Sequence, residues 1–134
     1  MTNQEVIVPG WPAPRGYANG RTAAGRALYI AGQIGWDAGG AFPPGGLVPQ
    51  FAQALDNVLA VVRAAGGRAE DLATMTVDVT DIAAYRAGAR ELGAIWRPRL
   101  GKHFPAMALV AVSALVEPNA VVEIQAVAHL PEAP

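Results

Sequence analysis

The spacing of apolar residues along the chain changes between the two-residue period of strands and the 3.6-residue period of helices. In ATMTVDVT the apolar residues Met75, Val77 and Val79 alternate with polar ones, which predicts a strand with one face in water. Runs of β-branched, aromatic and small apolar residues predict the other strands. The predicted strands are residues 26–36, ending at Gly35, residues 73–80, residues 105–115 and residues 120–130, with a turn at 117–119 between the last two.

The first predicted helix begins at Val48 and stops at Gly66 and Gly67, where glycine can adopt the backbone conformation that closes a helix. Apolar and polar residues fall on opposite sides of this segment, which favours a helix lying on a core. The apolar side comprises Phe51, Ala54, Leu55, Val58, Leu59, Val62 and Ala65, and the polar side comprises Gln50, Gln53, Asp56, Asn57 and Arg63.

The second predicted helix follows Thr80 and Asp81, whose side chains can cap its first turn. Pro98 and Gly101 are expected to end it, because proline and glycine both terminate helices. Its apolar positions are Ile82, Tyr85, Ala89, Leu92, Ile95 and Trp96.

The predicted order of elements is β-β-α-β-α-β-β, to which residues 4–8 add a short strand. One mixed sheet with two helices on one face gives an α+β two-layer sandwich, formed by a single domain over residues 1–134. The other face of this sheet is too apolar to be left in water. We therefore expect it to be buried against other copies of the chain.

Composition supports association and excludes several classes of function. Of the 134 residues, 52% are hydrophobic and only 16% are charged, a balance that in a small domain favours burial of surface between copies. The net charge of −1 and the absence of a basic run argue against a nucleic-acid partner. There is no cysteine, so disulfides and thiolate chemistry are excluded.

The first residues lack the basic and apolar regions of a signal peptide, and no apolar run approaches the roughly 20 residues that span a membrane. We expect a soluble cytoplasmic protein without a membrane partner. Standard catalytic motifs such as GxSxG, the P-loop, GxGxxG and HExxH are absent from the sequence. His103 and His129 are isolated, so a metal site is not expected.

Six blocks of the sequence, taken in order, resemble the Rid family, the reactive intermediate deaminases, also called RidA or YjgF and described as L-PSP endoribonucleases. The resemblance extends from about Pro14 to Leu130. The blocks are PRGYANG (14–20), LYIAGQIG (28–35), QALDNVLAVVRAAGG (53–67), TVDVTD (76–81), FPAMALVAVSAL (104–115) and VEIQAVA (122–128).

The resemblance implies a chorismate-mutase-like, YjgF-like fold and a barrel-like homotrimer with three clefts between subunits. It also implies hydrolysis of enamines and imines to a keto acid and ammonia, without a cofactor. In such a reaction the protein binds the substrate carboxylate, orients water and moves a proton.

The resemblance also assigns site residues one by one. Tyr17 matches the family's loop tyrosine, which would form a wall of the cleft and donate a hydrogen bond; the alternative is a loop tyrosine packed only for burial. Gly32 matches a glycine that allows close approach of a ligand, and Ala31 replaces the serine before it. Glu123 matches a glutamate that could orient the attacking water, or it points to solvent or to a neighbouring subunit. Gln125 replaces a second glutamate.

Met107 is the main departure from the family pattern. In the deaminating branch the residue after FPA is an arginine that binds the substrate carboxylate, and methionine can neither donate a hydrogen bond nor neutralise a charge. The family's asparagine in the second helix also falls at Ala89. The resemblance therefore implies the fold together with an altered substrate specificity.

Other cations could replace the missing arginine. Arg15 is two residues before Tyr17, and Arg99 and Lys102 are close to the FPA block; all three could equally be solvated surface residues. Trp11 and Trp36 lie in loops near the expected mouth of the cleft and suit a more apolar ligand, although each could simply be a packing residue.

The sequence leaves three candidate functions open. The first is a Rid-like hydrolase that acts on an enamine, an imine or a related small metabolite. The second is a non-catalytic trimer that binds a small hydrophobic metabolite in the same clefts. The third, RNA cleavage, is suggested only by the family's older description, and the absence of interleaved basic and aromatic residues argues against it.

Overall fold

The computed structural model describes residues 3–132. Its elements follow the predicted order, with a short strand at the beginning and a second helix divided in two. The strands are β1 (Asn3–Glu5), β2 (Arg21–Ala23), β3 (Arg26–Ile34), β4 (Leu72–Val79), β5 (Ala106–Ala111) and β6 (Val122–Leu130); the helices are α1 (Leu47–Ala64), α2 (Ile82–Ala87) and α3 (Ala89–Leu100), with one 3₁₀ turn at Ala69–Asp71.

Four strands form one mixed sheet in the order β3-β6-β4-β5, and β1 and β2 form a separate antiparallel pair. Strand β6 pairs antiparallel with both β3 and β4, whereas β4 and β5 are parallel. Strands β3, β4 and β5 therefore run the same way, and each step between them needs a crossover helix. Both steps go in the same direction across the sheet, so the common handedness of such crossovers places the helices on one face. The α+β class and the mixed sheet are confirmed.

The core lies between this face and the helices. In α1, the predicted apolar residues Ala54, Leu55, Val58 and Val62 are fully buried, as are the alternating strand residues Val77, Val79, Val122 and Ile124. Gln50, predicted on the polar side, is buried instead. Its side-chain amide donates to the Asn119 carbonyl at 2.9 Å and accepts from the Val121 amide at 3.0 Å.

The second helix is broken at Gly88 into α2 and α3. A Cβ at Gly88 would lie 3.2 Å from a methyl group of Val48, so the break occurs where this segment packs closely on α1. Asp81 caps α2 as predicted, with its carboxylate accepting from the Ala84 amide. Pro98 was expected to end the helix but lies inside the last turn of α3, which ends before Gly101 (φ 60°).

Strand β5 is shorter than the predicted segment 105–115. It is the edge strand and pairs with β4, whose last residue, Val79, is paired with Ala111 and accepts from the Val112 amide at 2.8 Å, so the pairing stops where β4 ends. None of the helices described in residues 3–132 is long and apolar enough to cross a bilayer.

The second face of the sheet turns away from the helices. It carries large exposed apolar side chains, with Tyr29 78% and Val110 46% exposed, next to exposed or half-buried polar residues of β4 and β6. This outer face is the surface that the sequence predicts to be covered by other copies. The structure is that of a single chain, so the trimer stays a prediction.

Candidate functional site

An apolar groove of about 220 Å³ lies between helix α3 and strand β5. Its helix wall includes Ala89, Gly93 and Arg97, which are four residues apart and share one side of α3, together with Tyr85 of α2. Its opposite wall includes Met107. At the base of the groove Trp96 and Phe104 stack with ring centroids 5.6 Å apart, which fixes the relative position of the two walls.

Met107 faces the helices. In the parallel ladder it is paired with Met75, which is 1% exposed, and paired residues on neighbouring strands point to the same face of the sheet. Its side chain is half-buried and packs against the core while lining the groove. The position at which the resemblance implies an arginine therefore opens into this groove.

The Tyr17 loop is attached to the beginning of β5. The Ala18 amide donates to the Pro105 carbonyl at 2.9 Å, and Ala18 pairs with Ala106 as an isolated parallel bridge. This places Gly16 in the wall of the groove and leaves Tyr17 42% exposed in an adjoining depression that Met107 also lines. Tyr17 and Met107 thus line one depression.

Gly32 and Glu123 form a second cluster, on the outer face. The register between β3 and β6 shifts between Ile30 and Gln33, so Ala31 and Gly32 lie in a bulge. A Cβ at Gly32 would lie 2.7 Å from the carboxyl carbon of Glu123. The Glu123 side chain therefore occupies the space that a side chain at position 32 would need. This contact explains the glycine more directly than the approach of a ligand does. Gln125, two residues further along β6, is exposed.

Within one chain the two clusters lie on opposite faces of the sheet. Glu123 lies on the outer face of β6, Met107 lies on the helix face of β5, and strand β4 separates them. Glu123 is paired across the sheet with Asp78, another outward carboxylate. A single chain therefore does not assemble Glu123 with Met107.

The two tryptophans predicted near the mouth lie elsewhere. Trp36 lines a different depression beside α1, with Gln33 and Asn57, and its ring is 6.0 Å from that of Phe42. Trp11 is 61% exposed in the N-terminal loop. A role of Trp36 in binding stays a prediction.

Arg99, one of the three cations considered as substitutes for the missing arginine, forms an ion pair with Asp56. Its guanidinium contacts Asp56 at 2.7 Å and 3.1 Å and also donates to the Ile95 carbonyl, and the hydrogen bond with Asp56 raises the pKa of Arg99. It ties α3 to α1 and does not line the groove. Arg15 and Lys102 are exposed and do not line it either.

Two groove residues were missed at the level of sequence. Arg97 is not among the cations considered from the sequence, and Tyr85 is predicted only as an apolar helix position. The four-residue spacing from Tyr85 through Ala89 and Gly93 to Arg97 would have placed them on one side of the helix. Burial raises the pKa of the Tyr85 phenol, so it stays protonated at neutral pH and can donate a hydrogen bond.

Clusters of three or more histidine, aspartate or glutamate side chains placed to hold a metal ion are absent from the described part of the chain. His103 donates through Nε2 to the Leu72 carbonyl at 2.7 Å, a structural contact away from the groove.

A sequence model of the family described as Endoribonuclease L-PSP matches residues 11–130. Similar curated proteins include the 2-iminobutanoate/2-iminopropanoate deaminase of Capra hircus, which is 34% identical over 118 residues, covering 87% of this chain and 82% of that protein. A RutC family protein of Pyrococcus horikoshii is 31% identical over 125 residues, covering 92% of this chain and 95% of that protein.

Solved structures agree with these similarities. A Rid family protein of unknown function from Yersinia pestis superimposes with a TM-score of 0.86 at 28% identity, covering 97% of this chain and 100% of that one. RidA from a Psychrobacter species superimposes with a TM-score of 0.68 at 29% identity, covering 95% and 99% of the two chains.

Proposed function

The chain belongs to the Endoribonuclease L-PSP family, which includes the Rid proteins its motifs resemble, and on this premise we propose that it hydrolyses the C=N bond of small imines. Enamines would enter the reaction through the imines they form. Water adds to the imine carbon, the carbon–nitrogen bond breaks, and a carbonyl compound and ammonia are released. The imine is already activated, so the protein has to hold it, orient water and move protons.

The groove at Met107 is the observation that carries this proposal. It is a small, mostly apolar space, with the protonated phenol of Tyr85 in its wall and the exposed phenol of Tyr17 in the adjoining depression. Such a space suits a substrate of a few carbon atoms with one polar end. The curated relatives named as deaminases of 2-iminobutanoate and 2-iminopropanoate act on molecules of that size.

Glu123 is proposed to orient the attacking water, and it has to come from another copy of the chain. In one chain it lies across the sheet from the groove, on the outer face that exposes Tyr29 and Val110. Covering this face with a second copy would bury apolar surface and could bring a glutamate to the mouth of the partner's groove. We therefore propose a homotrimer in which each cleft combines the groove of one subunit with the Glu123 of the next.

Met107 is proposed to change the specificity of the cleft. A methionine in the groove wall adds apolar, adaptable surface where the family pattern has a cation. We expect imines with apolar side chains to be preferred over 2-iminopropanoate. Ammonia release should therefore rise along a series of 2-imino acids with longer apolar side chains, generated enzymatically in the assay.

The decisive experiment measures ammonia release by the wild type and by Glu123→Gln, which keeps the size of the side chain and removes its charge. We expect a loss of at least about 100-fold, at the low end of the contribution of a positioned acid–base group. Glu117→Gln, a substitution in the turn before β6, is the matched control and should retain activity. Equal rates for wild type and Glu123→Gln with every imine would contradict the proposal.

A non-catalytic binding protein is the second candidate, and the apolar lining at Met107 is the observation that favours it. It differs from the hydrolase in one measurable respect. Glu123→Ala would abolish turnover and preserve ligand binding in a hydrolase, whereas in a binding protein no variant, nor the wild type, would accelerate ammonia release.

A further inference from the structure

We propose that Arg97 binds the carboxylate of the substrate from the helix wall of the groove, an inference that rests on the proposed function. It would supply, from α3, the positive charge that Met107 does not supply from β5. The ligand class is a small 2-imino or 2-oxo acid with an apolar side chain.

Arg97 is the one charged residue among those that line the groove in residues 3–132. It lies on the wall opposite Met107, with Gly93 and Ala89 preceding it on the same side of the helix. Any carboxylate that enters this otherwise apolar space therefore meets one cation. A guanidinium is suited to that task because its fork of N–H donors matches the two oxygens of a carboxylate.

The guanidinium of Arg97 is available for a ligand. The ion pairs found in the described residues are Arg68–Glu70 and Arg99–Asp56, and Arg97 takes part in neither. Arg99, two residues later, shows the contrast, since Asp56 holds its guanidinium on the far side of α3.

Small residues leave room beside this guanidinium. The Arg97 side chain leans back toward the beginning of α3, as helical side chains do, and its Nη1 lies 3.8 Å from where a Cβ of Gly93 would be. Glycine at 93 and alanine at 89 keep the helix wall thin along this line. A carboxylate could therefore lie against the guanidinium within the groove, with the Tyr85 hydroxyl as a second donor.

Binding of 2-oxobutanoate tests the assignment without depending on turnover. Titration by isothermal calorimetry should show saturable binding to the wild type, and Arg97→Met should weaken it at least about tenfold, a cautious figure for the loss of one partner of a partly exposed charge pair. Arg90→Met, which removes an exposed cation of α3 that does not line the groove, should bind within about twofold of wild type. Wild-type affinity in Arg97→Met, or no saturable binding by the wild type, would overturn the inference.

Two further measurements separate charge recognition from a structural effect. Arg97→Met should leave the affinity for the uncharged methyl ester of 2-oxobutanoate unchanged; an equal loss for acid and ester would overturn the inference. In the double variant Arg97→Met/Met107→Arg, a guanidinium returns to the same groove from the other wall. Affinity for 2-oxobutanoate should then recover relative to Arg97→Met, and no recovery would contradict a shared carboxylate position.

The same titrations distinguish this inference from the proposed function. If the wild type binds 2-oxobutanoate through Arg97 and releases no ammonia from any imine, the hydrolase assignment fails and the carboxylate site stands. If ammonia release is equal in wild type and Arg97→Met, the hydrolase assignment stands and the role of Arg97 fails.

Discussion

The absence of a side chain at Gly32 leaves room for the carboxylate of Glu123, the proposed water-orienting residue. A Cβ at this position would meet the end of the flexible Glu123 side chain, which can move aside. We expect Gly32→Ala to displace the carboxylate and lower ammonia release, while the free energy of unfolding changes by less than about 1 kcal/mol. Activity assays and urea denaturation of the same preparations measure both effects.

Gly35, at the end of the same strand, provides the matched contrast. There a Cβ would lie 2.5 Å from the Gln50 carbonyl oxygen and 2.7 Å from the Gln50 Cα, and backbone cannot move aside. Gly35→Ala should lower the free energy of unfolding by roughly 1–3 kcal/mol. If Gly32→Ala destabilised the protein as much as Gly35→Ala, the flexible accommodation of Glu123 would be wrong.

His103 gives the stability of the protein a defined pH dependence. Burial lowers the pKa of His103 below its ordinary value of 6.5, and the nearby Arg21 lowers it further. The unfolded chain therefore binds a proton at a pH at which the folded chain does not. The free energy of unfolding should fall as the pH decreases below about 6.5 and level off once the folded protein is also protonated.

Denaturation curves between pH 7.5 and pH 5 check this expectation. His103→Gln does not titrate and can still donate a hydrogen bond to the Leu72 carbonyl, so its stability should depend less on pH in this range. An unchanged slope in the variant would assign the pH dependence to other groups.

At the scale of secondary structure, local periodicity was sufficient wherever one face of an element is buried by the rest of the chain. The alternation of Met75, Val77 and Val79 and the apolar side of α1 both correspond to buried residues. Predictions failed where a contact between elements decides the outcome. The helix break at Gly88 lies where this segment packs closely on Val48 of α1, and the pairing of β5 stops where β4 ends.

Gln50 is predicted from its polarity to face water, but a contact between α1 and the turn before β6 buries it. Its amide bonds two backbone groups of the turn that precedes β6, so a polar side chain is kept in the core by satisfied hydrogen bonds. Gln50→Leu would leave the Asn119 carbonyl and the Val121 amide without these partners. We expect the free energy of unfolding to fall by roughly 1–3 kcal/mol, measured by urea denaturation.

A loss of stability in Gln50→Leu should be accompanied by faster amide exchange at Val121, since the turn loses its attachment to α1. Gln53→Leu is the matched control, because Gln53 lies on the same helix and its side chain donates, among the residues that the structure describes, to the side chain of Asn57 one turn away. Equal destabilisation by both substitutions would contradict a specific role of Gln50.

At the scale of the whole molecule, the sequence motifs identified the pieces of the site but not their arrangement. The predicted site residues fall into two clusters, Tyr17 with Met107 and Gly32 with Glu123, each formed by neighbouring strands or loops. Their separation by the sheet depends on topology, which residue types do not reveal. Arg97 was missed for a related reason, since its place in a groove depends on what packs beside α3.

The proposed division of the cleft between two subunits leads to a complementation experiment. Arg97→Met impairs the groove that a subunit contributes to one cleft, and Glu123→Gln impairs the carboxylate that it contributes to the neighbouring cleft. A homotrimer of either variant should therefore have low activity. Co-expressed in equal amounts with different affinity tags and purified through both, the two chains form mixed trimers. In these, some clefts combine the intact groove of one variant with the intact Glu123 of the other.

Every trimer that carries both chains has one intact cleft among its three, so ammonia release should rise toward about a third of the wild-type rate. If Glu123 and Arg97 instead acted within one chain, every site would keep one defect, and the mixed protein would be no more active than its parents. Sedimentation velocity on the same samples must show a trimer, because a monomer would contradict any shared cleft. Tyr29→Glu, which adds a charge to the outer face, should weaken the trimer and lower the recovered activity in parallel.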